Sequence, residues 1–156
     1  MNPIVADALA RILAELPAAP SAAPGSLGYG RDLSCVTDCD DDFAEIGPDE
    51  PRIIIQSITR RLITPRGTNP DDADYGFDLH GLLHKALTPS ELRQLQSQAL
   101  GEVNKETRID PSRTTLRLTH ASGVVAAYLF VAPLDPRFTP FPFVLRITEA
   151  GVDIEA

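Results

Sequence analysis

Cysteine is scarce in this chain of 156 residues, and the two that occur, Cys35 and Cys39, stand only four positions apart. That spacing cannot brace a small secreted scaffold, so reduced thiols are expected. No apolar run approaches the roughly 20 residues needed to cross a bilayer. The N-terminal apolar pattern also carries Asp7, Arg11 and Glu15, unlike the apolar core of a signal peptide. A soluble protein without a membrane span, made in the cytosol, is therefore expected. Basic residues are few as well: 14 Lys and Arg against 22 Asp and Glu, a formal net charge of -8. Phosphate binding relies on clustered cations, so a general affinity for nucleic acid is not expected. Only Arg60, Arg61 and Arg66 form a local basic patch.

Catalytic signatures are equally sparse. His80 and His84 have the spacing of a chelating helical pair, but Gly81 stands where a zinc protease would carry its general-base glutamate. Together with Cys35 and Cys39 these histidines could supply a tetrahedral zinc set, although neither pair has the usual short knuckle spacing. Two helix histidines and two free thiols are the simpler expectation. The acidic run from Asp38 to Asp42 lacks the alternating oxygens, central glycine and closing glutamate of a calcium loop, and reads as a solvated acidic segment. No G-x-S-x-G elbow occurs, and Gly25, Gly28 and Gly30 follow a proline-rich stretch rather than a strand, so no phosphate loop is read there. No catalytic, cofactor or metal residue is assigned.

What is present is enough hydrophobic sequence, 43% of the residues, for one domain with a core. Asn2 and Pro3 open an amphipathic helix whose stripe is Val5, Ala8, Leu9, Ile12, Leu13 and Leu16. Residues 17–28, PAAPSAAPGSLG, offer nothing to pack and read as a tether. The docking helix, residues 1–16, is thus expected to seat on a neighbouring subunit through Leu9 and Leu13. Residues 29–156 form the single domain. Within it the pattern predicts a short strand at Leu33 to Val36 and a helix from Pro51 to Pro65, with Asp49 or Glu50 near its cap and Ile54, Ile55, Ile58 and Leu62 buried. A second core helix is expected from Tyr75 to Ala86. A third opens on the capping box Thr88-Pro89-Ser90-Glu91 and buries Leu92, Leu95, Ala99 and Val103. Strands follow at Thr115 to His120, Val124 to Ala132 and Phe141 to Thr148, the middle one apolar on both faces and expected to be covered on both. The fold class is α+β: three core helices on a small, mainly antiparallel sheet.

Residues Gln56 to Leu83, QSITRRLITPRGTNPDDADYGFDLHGLL, join a helix, a sharp Thr-Pro-Arg-Gly stop and a Tyr-Gly restart. In Arg61, Leu62, Thr64, Pro65, Gly67, Asp74, Tyr75, Gly76, Asp78, Leu79, Leu82 and Leu83 the stretch resembles the baseplate wedge proteins of contractile tails called sheath initiators, often labelled lysozyme-like. Glu106-Thr107-Arg108 stands where that family carries Glu-Pro-Arg, with threonine in place of proline. The resemblance covers roughly residues 30–148 and implies a structural subunit, not an enzyme. Its implied partners are the larger wedge subunits and the tail sheath protein, with tube or hub proteins as further candidates. Its implied place is a virion tail or contractile-particle baseplate, after synthesis in the bacterial cytoplasm. It also implies that the sheet offers an edge to added strands, and that Glu106 and Arg108 act at the joint between wedge and sheath. Arg61 and Arg66 complete the expected partner-binding set. The lysozyme label leaves a peptidoglycan-cleaving hydrolase as one alternative, although the phage-lysozyme spacing of Glu, Asp and Thr occurs nowhere here. An acidic adaptor unrelated to tails is another.

Overall fold

The computed structural model describes residues 30, 32–34 and 45–156. The expected helix 1–16, the tether 17–28, both cysteines and the acidic run 38–42 lie outside the described residues. Two short strands come first, β1 (Asp32–Leu33) and β2 (Glu45–Ile46), paired antiparallel.

Helix α1 (Arg52–Ile63) follows Pro51 and buries Ile53, Ile54, Ile55, Ile58 and Leu62. The expected carboxylate cap is not used: Pro51 is the N-cap, and Glu50 instead accepts from the Gly47 N–H at 2.9 Å. Thr64 takes an extended conformation ahead of Pro65, as a residue before proline prefers, and the helix stops there.

The helix expected over Tyr75 to Ala86 does not form. Only one 3-10 turn, His80–Leu82, occurs in that segment. Gly76 and Asp78 both have positive φ, 102° and 65°, which no α-helix accommodates. Their neighbours spend their N–H groups elsewhere: Phe77 donates to the Arg61 carbonyl at 3.0 Å and Leu79 to that of Leu62 at 2.9 Å. These bonds satisfy carbonyls that the end of α1 leaves open. The apolar residues are nonetheless buried, with Leu79, Leu82 and Leu83 all in the core.

Helix α2 (Pro89–Val103) opens on the expected capping box, with both reciprocal Thr88–Glu91 bonds made. Ala99 and Val103 are buried, but Leu92 and Leu95 are only partly so, and Glu102 is buried beside Val103. Among the described residues, two helices, not three, therefore build the helical layer.

The sheet is an antiparallel meander in the order β3 (Thr115–Ala121), β4 (Val124–Val131), β5 (Phe141–Thr148) and β6 (Gly151–Glu155). Ser122 and Gly123 join β3 to β4 with φ of 53° and 74°, the two-residue turn that matches strand twist. Strand β6 lies beyond the three expected strands. The register stacks Leu116, Leu129 and Phe143 in one row and Leu118, Ala127, Leu145 and Ile154 in the next, all on the face toward the helices. The opposite face of β4 is not covered as expected. Tyr128 and Phe130 are each 44% exposed, because both described helices pack on the same side.

Candidate functional site

Glu102 projects from the buried face of α2, and its side chain has no exposed surface. Four donors reach it. Lys105 Nζ lies 2.7 Å away, Arg66 3.3 Å, Arg61 3.4 Å, and the Gly76 N–H donates at 3.2 Å. A buried carboxylate is tolerable only when so compensated. The Thr-Pro-Arg-Gly stop and the Tyr-Gly restart now have one physical purpose. The stop swings Arg66 back over α2, where its Nε also donates to the Gly76 carbonyl at 3.2 Å, and the restart brings Gly76 onto the same carboxylate. Gly76 is sterically required, since a Cβ there would meet the Thr64 carbonyl oxygen at 2.2 Å. Arg61 additionally stacks on Tyr75, 4.8 Å from the ring centroid. Burial raises the Tyr75 pKa above its ordinary value, against the opposing charge of Arg61.

The second buried carboxylate, Glu106, is 5% exposed just beyond α2. Arg108 grips it with two side-chain bonds, Nε at 2.7 Å and a terminal nitrogen at 3.0 Å, and its backbone N–H adds a third at 3.3 Å. Ser57 from α1 donates its hydroxyl at 2.5 Å. Burial alone would raise this carboxyl's pKa, but the bonds from Arg108 and Ser57 together with the Arg108 charge outweigh it and hold the pKa below its ordinary value. A general acid needs the reverse shift. The segment that carries this pair also ties the sheet layer down: the Arg108 carbonyl accepts from Leu134 at 2.9 Å, and Ile109 bridges Pro133.

Of the residues singled out from sequence, Arg61 and Arg66 meet at Glu102, while Glu106 and Arg108 form a separate brace between α1 and the end of α2. Arg60 leaves the basic patch for Asp32, 3.1 Å away. Leu9 and Leu13 lie outside the described residues. Among the described residues no three His, Cys, Asp or Glu side chains gather as a metal would require. His84 sits near Glu149 at 3.9 Å, and His120 contacts the Leu83 carbonyl at 3.4 Å. Sequence reasoning missed Glu102. Its signal was a glutamate three residues after Ala99 on the apolar stripe of α2, where a solvated charge has no reason to be.

The two sheet edges differ. Strand β3 is shielded: Gln96 of α2 accepts from the Leu118 N–H at 3.2 Å. Strand β6 pairs only with β5 among the described strands. No helix of the described residues is long and apolar enough to cross a membrane. No protein-family model matches the chain, and no curated protein matches it.

Proposed function

We propose that this chain is a structural baseplate subunit of a contractile tail or related injection machine, acting as a sheath initiator. It joins the larger wedge subunits to the first ring of tail sheath protein and carries out no reaction. The stretch of the resemblance supports this reading, because Arg61, Arg66 and Gly76 within it join Glu102 in one structural brace and spend their polar groups on internal contacts. The observation that carries it is the sheet's asymmetry. One edge is shielded by Gln96, and the other, β6, ends the meander unpaired among the described strands, as an acceptor of added strands requires. Main-chain bonds along β6 supply affinity for a sheath segment, and alternate side chains supply register.

Co-expression with the wedge and sheath proteins of the same particle tests the reading. The chain is expected to co-purify with both, and loss of outer-edge pairing through Val152→Pro, at a position whose N–H faces away from β5, is expected to release sheath while leaving wedge bound. A chain that binds neither protein overturns the proposal. The purified protein is also expected to leave peptidoglycan intact. Cleavage that disappears on a single Glu or Asp substitution, with the fold retained, would instead make it a hydrolase.

A further inference from the structure

The two faces of the β6 edge make opposite chemical demands. Thr148 and Gly151 close the two-residue turn before β6 as a bonded pair, and ladder bonds alternate along antiparallel strands. Asp153 and Glu155 therefore exchange bonds with β5, while Val152 and Ile154 turn their N–H and C=O groups outward.

Beside these outward groups lies a hollow of about 270 Å³. Ile154 and Ala156 line it from the strand side, Ile46 from β2, and Arg52 and Ile55 from the start of α1. Leu145, the β5 residue paired with Ile154, does not line it, and among the described residues neither does any other of β5. The hollow thus opens on the flank of Ile154 that faces away from β5. Paired residues of neighbouring strands share one face of a sheet, so a strand added to β6 would send the side chain opposite Ile154 toward this space. Truncating a core leucine to alanine leaves a cavity of about 150 Å³, so the hollow has room for a leucine.

On the other face, Asp153 and Glu155 are exposed and share a single cation, Arg146. One carboxylate is left over, on a chain whose formal net charge is -8. At the hollow the charge has the opposite sign: Arg52 is exposed there, with one nitrogen donating to the Ser34 hydroxyl at 3.2 Å. A basic side chain is therefore favoured beside Asp153 and disfavoured over the hollow. A slip of one residue would exchange the two faces and violate both preferences.

We infer that the β6 edge selects a partner strand with a basic, aliphatic, basic triplet: the aliphatic residue lies opposite Ile154 and fills the hollow, and Lys or Arg stand opposite Asp153 and Glu155. The triplet reads the same in either strand direction. A second copy of β6 does not fit, because exchange of bonds between Val152 and Ile154 of the two copies would set Asp153 against Asp153. This inference rests on the reading of β6 as a strand acceptor, and it names the strand accepted.

The test titrates the isolated full chain with capped threonine peptides carrying Lys-Leu-Lys, Lys-Ala-Lys or Glu-Leu-Glu at the centre, followed by the amide shifts of Val152 and Ile154. The Lys-Leu-Lys peptide is expected to bind about fivefold to twentyfold tighter than Lys-Ala-Lys. It is expected to bind about threefold to tenfold tighter than Glu-Leu-Glu, and Asp153→Lys to reverse that order. Ile154→Trp fills the hollow from β6, and Ala156→Phe fills it from an exposed position. Each is expected to erase the preference for leucine over alanine while the Lys-Ala-Lys peptide still binds. Equal binding of the leucine and alanine peptides, or a leucine preference that survives both fillings, overturns the inference and leaves β6 a strand acceptor without this selectivity. Unmoved amides with every peptide overturn it as well, and the strand reading is then decided by Val152→Pro and sheath co-purification, which do not involve the hollow.

Discussion

Glu102 gathers three cationic side chains and one backbone N–H without any exposure of its own, so its removal strands several groups at once. Breaking a buried pair by deleting one member costs about 3 to 5 kcal/mol. In a chain of this length each kcal/mol moves the melting temperature by about 2 to 4 °C. Glu102→Ala is therefore expected to lower Tm by about 6 to 20 °C, measured by thermal unfolding, and a shift under 2 °C would deny Glu102 its bracing role. Glu106 makes a different prediction, in pH. Its folded pKa is depressed below the ordinary 4.5, so its contribution is fully present above about pH 4.5 and is lost as pH falls through the folded value. At pH 7, Glu106→Gln is expected to be less stable than wild type by about 1 to 3 kcal/mol. That gap should shrink below pH 4.5 and close in stronger acid; a gap that grows would contradict the assigned sign. Arg108→Ala leaves the same buried carboxylate without its principal partner, so it too is expected to destabilise the isolated chain, and not the joint alone.

At the scale of elements, the junction of α1 with the 64–79 segment rests on Gly76. Its φ of 102° and the 2.2 Å approach that a Cβ would make to the Thr64 carbonyl together leave no room for a side chain. Gly76→Ala is expected to cost about 1 to 3 kcal/mol and to weaken the Phe77 and Leu79 bonds to α1, seen as faster amide exchange at those two residues. Unchanged exchange would separate the glycine from the junction. This element also marks where sequence reading stopped. Helices α1 and α2 were legible because proline punctuation, a capping box and apolar stripes all agreed. The 75–86 stretch carries the same apolar spacing, yet its N–H groups bond to α1, and spacing cannot reveal a bond to a distant carbonyl. Strand β6 is short, with two of its five residues charged, and pairing with β5, not its own pattern, makes it a strand.

Across the whole molecule, the polar residues of the resemblance serve two braces, Arg61 and Gly76 at Glu102 and Arg108 at Glu106, and among the described residues the open features lie elsewhere: the outer edge of β6 and the exposed Tyr128 and Phe130 face. Legibility divided the same way. Glu106, Arg108, Arg61 and Arg66 stood out in sequence as polar residues with a pattern, but their partners Ser57 and Glu102 did not, because the contacts join residues 36 to 49 positions apart. Closed braces with open edges suit a part whose work is to hold others in register. The most direct measurement is the position of this chain in an intact particle, by electron cryo-microscopy of contractile particles carrying a tagged copy. Density for the tag is expected in the baseplate at its sheath end, with a sheath strand added along β6. Particles complete with baseplate and sheath but lacking the chain, or holding it away from the sheath with β6 unpaired, would contradict it.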